Sequence, residues 1–143
     1  MSASKLRLYH RLQLAAHRIQ KAADRAVLQA SGVTTAQAAV LTVVAGDRDA
    51  TQRSVARQLG INESAVTAMV ARLMDMRLIE RIRDDEDART WRLLLTAEGR
   101  AGLKKVEGPF RTINARLEAA LDASELEHLA DYLGRIGEAF AGD

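Results

Sequence analysis

The 143-residue chain contains no cysteine. That excludes a disulfide scaffold, a thiolate zinc site, a thiol nucleophile and thiol redox sensing. It has a single proline, and its aromatic residues are one tryptophan, two tyrosines and two phenylalanines. In an Ala/Leu-rich chain that poverty points to a mostly α fold. No apolar run approaches the length of a membrane span, about 18 residues. The segment MSASKLRLYHRLQ lacks the apolar centre of a signal peptide, so the expected location is the cytoplasm. No Gly-rich phosphate loop, no HExxH and no nucleophile–base pairing is present, so neither an enzyme nor a cofactor is expected. The histidines are His10, His17 and His128. They are too few and too far apart for a metal site without cysteine, and none is expected.

What is present is a foldable core. Hydrophobic residues make up 48% and charged residues 28%, which separates this chain from disordered ones. The length suits one domain, enough to hide roughly two-thirds of the unfolded surface. The net charge of +2 decides little, but its distribution is uneven. Residues 1–30 carry net +5 and residues 93–143 net −3. A basic front end suits a polyanionic partner, although a solvated helix face has the same composition.

Hydrophobic spacing predicts the elements. Leu8, Leu12, Ala15, Ile19, Ala22 and Ala26 recur at alternating steps of four and three, so residues 5–30 read as one long helix with a heptad seam. Arg11, Arg18 and Arg25 follow another face, and Ser31-Gly32 ends the helix. Thr34 and Gln37 form a capping box for a second helix, which buries Val40, Leu41 and Val44. Thr51 caps a short third helix over 52–59, with Val55, Ala56 and Leu59 inward. After the Gly60-Ile61 turn, Asn62 caps a fourth over 63–76, with inner stripe Val66, Met69, Val70 and Leu73.

The period then changes. LIERIRDDEDARTWRLLLT alternates, with Trp91, Leu93 and Leu95 on one strand face and Thr90, Arg92 and Leu94 on the other. The acidic run 84–87 becomes a hairpin tip, and Trp91 is expected to pack on the fourth helix as core. Thr96 caps a helix towards residue 120, with a kink or break at Gly108-Pro109. Asp122 and Glu125 form another capping box. The last helix, over 123–141, carries Leu126, Leu129, Leu133, Ile136 and Phe140 at helical spacing. No repeat or dividing linker is found.

A short helix, a glycine turn, a second helix and a β-hairpin make a winged helix-turn-helix, whose second helix suits the major groove of DNA. The block TQRSVARQLGINESAVTAMVARLMDMRLIERIRDDEDARTWRLLLTAEG resembles the multiple-antibiotic-resistance regulator (MarR) family of bacterial transcription factors. LGI, VARL, LIER, the Asp87-Ala88-Arg89 match to a D-x-R signature and LLLTAEG carry the resemblance, with TTAQAAVL and LDASEL flanking it. It implies a homodimer in which residues 1–32 and 97–143 intertwine as a dimerisation lobe. Residues 34–96 would form the winged helix-turn-helix lobe, within a single domain over 1–143. The family typically represses transcription from a near-palindromic operator and lets go of double-stranded DNA when a small, often aromatic, ligand binds.

The resemblance assigns roles residue by residue. Ser64, Ala65, Thr67, Ala68 and Arg72 lie off the inner stripe of the recognition helix and are the expected base or phosphate contacts. As ordinary exposed helix residues they would look the same. The sequence departs from the family at Ala68, often basic, and at Ala71, often acidic and the partner of a wing arginine. Arg83 and Arg89 are the expected wing contacts. Arg81 and Arg92 are the wing's other cations, and all four stand beside Asp84, Asp85, Glu86 and Asp87, which offer local neutralisation instead. Thr51, Gln52 and Arg53 are placed to meet backbone phosphates at a helix N-terminus. Leu8, Leu12, Ile19, Leu126, Leu129, Leu133, Ile136 and Phe140 are the expected dimer seam. His17 and Arg18 are the candidates for the effector, whose identity stays open. The competing reading is a winged-helix module that has lost DNA and binds protein, supported by Ala68, Ala71 and the acidic tip.

Overall fold

A computed structural model describes residues 7–143, so the start of the first helix, expected at residue 5, lies outside the described residues. Six helices and one hairpin follow in the order α1 (Leu8–Ser31), α2 (Thr35–Gly46), α3 (Gln52–Leu59), α4 (Glu63–Asp75), β1 (Ile79–Arg83), β2 (Trp91–Leu95), α5 (Ala97–Ala120) and α6 (Ala123–Ala139). No single helix among the described residues is long and apolar enough to cross a membrane.

Local chemistry sets the boundaries. Gly32 closes α1 in the left-handed conformation, φ 76°, its N–H donating to the Leu28 carbonyl. Thr34 and Gln37 exchange both capping-box bonds, at 3.1 and 3.0 Å. Thr51 caps α3 by accepting from the Ser54 N–H at 3.1 Å, and Asn62 caps α4 by accepting from the Ala65 N–H at 2.9 Å. Asp122 and Glu125 form the box at α6. These side chains satisfy amides that a helix start leaves without partners.

The core joins α2, α3, α4, the hairpin and the adjoining ends of α1 and α5. Val27, Val33, Val40, Leu41, Val55, Val66, Val70, Leu73, Ile79, Leu93 and Val106 are all buried. Leu59 and Met69, expected inward, are only partly buried and pack against it. β1 and β2 pair antiparallel, with Ile79 opposite Leu95, Arg81 opposite Leu93 and Arg83 opposite Trp91. The Leu93 N–H donates to the Ala50 carbonyl at 2.8 Å, which ties the approach to α3 alongside β2. The entry to α5 is equally close: a Cβ at Gly99 would lie 2.0 Å from the Leu78 carbonyl oxygen.

Three expectations are corrected. Of the kink or break expected at Gly108-Pro109, the break is ruled out: α5 runs as one helix from Ala97 to Ala120. Pro109 removes one amide from the ladder, but packing of α1 along α5 holds the helix, and the Lys105 turn that loses its donor is exposed to water. Trp91 is not core: it is 38% exposed, while Leu93 and Leu95 on the same face are buried. Trp91 opens the strand at the hairpin's tip side, where its ring meets the Arg81 and Arg83 side chains of β1. Arg92 is not a free wing cation. It turns onto the α2–α3 loop, 3.7 Å from Asp49 and 3.5 Å from the Arg48 carbonyl.

Candidate nucleic-acid interface

Helix α4 divides cleanly into two faces. Val66, Val70 and Leu73 are buried against the lobe, while Ser64, Ala65, Thr67, Ala68 and Arg72 are exposed. A helix whose apolar stripe is fully engaged presents its other side as a rigid ridge. The Ser64 hydroxyl donates to the Asn62 side chain at 2.8 Å, so the cap orders the start of that ridge.

The bracing helix α3 is fastened to α4 by polar contacts. The Thr67 hydroxyl lies 2.8 Å from Gln52 Oε1 and 2.9 Å from the Glu63 carbonyl. Arg53 stands 3.8 Å from Glu63 across the same junction, an exposed pair that contributes little stability. Gln52, half-buried, is therefore a fastener as well as a candidate backbone contact, whereas Arg53 is open to solvent. Thr51 is partly buried and engaged in its cap.

The wing holds its charges apart. Asp84 accepts from the Glu86 N–H, and Asp87 accepts from the Arg89 N–H and the Thr90 hydroxyl. These carboxylates fold onto their own turn. Arg83 instead reaches across the hairpin to donate to the Ala88 carbonyl. Its guanidinium carbon lies 4.5 Å from the centre of the Trp91 ring, and that of Arg81 lies 4.8 Å away. Arg89 is exposed. Arg81, with Gln52, Thr67, Ala71 and Asp75, lines the groove between the wing and α4. Thus Arg81 is the wing cation that lines the groove where Ala71 stands. Nothing in the alternation marked Arg81 for this; the register that pairs its strand with Trp91 did.

The effector candidates do not converge. Arg18 lines a cleft of about 200 Å3 between α1 and α5 with Ile19, Ala22, Ile113, Arg116 and Leu117. His17 faces a different groove, with His10, Gln13 and Leu14. The expected seam residues are uncovered: Leu8 is 58% exposed, Leu133 50% and Phe140 68%, with Leu12, Ile19, Leu129 and Ile136 also exposed and Leu126 half-buried. No residue of α6 is buried.

Comparison with known proteins meets the same fold. A model described as MarR family matches residues 31–90. Over 116 residues the chain is 29% identical to the HTH-type transcriptional repressor MdtR of Bacillus subtilis, covering 81% of this chain and 75% of that protein. The PcaV transcriptional regulator of Streptomyces coelicolor, solved in complex with its natural ligand, superposes with a TM-score of 0.73 at 28% identity, over 92% of this chain and 90% of its own. The M. tuberculosis transcriptional regulator MOSR, solved in complex with DNA, gives 0.69 at 27% identity, over 94% and 98%. Helix-turn-helix, wing and flanking helices agree in order with these regulators, and over residues 31–90 the chain is similar to the MarR family of winged helix-turn-helix transcription regulators.

Proposed function

We propose that this protein is a DNA-binding transcriptional regulator that works as a homodimer, represses from a near-palindromic operator and is released by a small-molecule ligand. One observation carries the DNA reading: α4 is anchored by a buried stripe and offers Ser64, Ala65, Thr67, Ala68 and Arg72 outward. In this reading those residues enter the major groove, Arg72 reads a guanine or grips a phosphate, and Arg83 and Arg89 add wing contacts. Thr51, Gln52 and Arg53 meet the backbone beside them. Much of the affinity comes from phosphate neutralisation, so binding weakens as salt rises. The homologous repressor and the relative solved on DNA support this reading over the protein-interaction module.

The uncovered apolar face of α6 and the exposed front of α1 support the dimer, since apolar patches of this kind mark interaction surfaces. A two-fold pair sets its recognition helices about 34–36 Å apart, one turn of DNA. A ligand then acts by favouring a dimer with the wrong spacing, through its different affinity for the two shapes. Arg18 beside the apolar cleft suits a small organic anion, and the ligand-bound relative supports a ligand-responsive reading.

Selection of bound fragments from random DNA tests the proposal, followed by a ligand-release screen on the recovered site. Replacing Arg72 by alanine is expected to weaken binding by about 1–3 kcal/mol at one operator position. An equal loss on all sequences reassigns Arg72 to a phosphate. Failure to recover any preferred duplex overturns the regulator reading.

A further inference from the structure

The lone tryptophan stands in a place its strand pattern does not explain. Trp91 is 38% exposed at the outer end of β2, yet both neighbouring cations of its face converge on its ring. Four carboxylates, Asp84 to Asp87, follow Arg83 directly in sequence and are the obvious partners for those cations. The structure pairs none of them: among the described residues the ion pairs are made by Arg53, Arg92 and Arg135. The acidic side chains that bond at all bond to their own turn, and Arg83 bonds to the Ala88 carbonyl, a neutral acceptor. A guanidinium over an indole face is attracted by the ring quadrupole without losing its charge.

We propose that Trp91 is the positioning residue of the wing, a platform that holds Arg81 and Arg83 off the acidic tip and presents them, still charged, to the DNA beside the recognition helix. The inference rests on the regulator reading above and deepens it. An arginine neutralised by the tip would release no counterion from DNA, whereas one parked on a ring is free to do so. The platform also removes conformational freedom before binding, so less is lost when the contact forms. Arg92, on the opposite face, takes no part, being committed to the α2–α3 loop.

Two measurements test this on the full chain. Trp91 is the only tryptophan, so its emission reports on the stack directly. In the free protein, acrylamide should quench it more strongly in the double variant R81Q/R83Q than in the wild type, since two guanidinium groups no longer cover the ring. Unchanged quenching overturns the platform, whatever happens with DNA. The second measurement is affinity for a selected duplex across a salt series. W91L and R83Q should each weaken binding roughly five- to tenfold and flatten the salt dependence by about one charge. Adding W91L to R81Q/R83Q should weaken binding no further, because both cations that the ring holds are already gone. W91F, which keeps an aromatic face, should retain most of the affinity and guards against loss through misfolding. Multiplying losses, or a W91L protein that binds like the wild type, overturns the inference while leaving the regulator reading intact. A wild-type protein that binds no duplex overturns both.

Discussion

Between Val33 and Val106 the chain buries a core that includes Leu41, Leu73, Ile79 and Leu93 within itself, whereas along α6 it buries no residue. The contrast is not one of composition, since Leu129, Leu133 and Ile136 are as apolar as Leu41 or Leu73. It is one of partners. The winged-helix lobe stacks three helices, a hairpin and the ends of α1 and α5 into a closed core. α6 lies beyond that core, and among the described residues none buries its seam at helical spacing. A capping box at Asp122 nevertheless specifies α6 as a helix as firmly as Thr34 specifies α2. Local signals are therefore complete in both regions, and only one of them is self-sufficient.

The largest expected effect lies where the proposed dimer draws on a second copy. Replacing Leu133 and Ile136 together by lysine should weaken self-association by more than about a hundredfold, the scale of two lost hot-spot anchors. Sedimentation should then show single chains, DNA binding should fail, and far-ultraviolet dichroism should keep the helical signal of the winged-helix lobe. A dimer that survives this pair of charges removes the distinction between the two regions.

Inside the self-sufficient lobe, Gly99→Ala should cost about 3 kcal/mol, near the upper end for overpacking, because the new Cβ meets the Leu78 carbonyl rather than a flexible side chain. Chemical denaturation measures it. A loss below about 1 kcal/mol would mean that α5 moves easily against the lobe. The smallest effect is a cap: Thr51→Ala should lower stability by about 1 kcal/mol by freeing the Ser54 amide, without altering self-association. An equal shift in the dimer constant would show that the two regions are coupled more tightly than their separate cores suggest.

Much of the candidate interface was legible early. Asn62, the Gly60 turn and the stripe Val66, Val70 and Leu73 marked which side of α4 is held, and hence which residues are offered. The fastening of Thr67 to Gln52 is not legible in the sequence, because nothing in their spacing joins two different helices. Nor is the sorting of the wing's arginines. Four cations beside four carboxylates are equivalent in a sequence, and Arg92 differs from Arg83 only by the side of the strand it takes and by what lies there.

Period, caps and turn glycines specify helices and strands because those interactions close within a few residues. They determined the order of elements, the two-faced recognition helix and the apolar seam of α6. Where Trp91 ends up, whether Pro109 divides α5 and which arginines stay available depend on what each element meets. That is set by packing between segments remote in the chain, so only the assembled structure decided it.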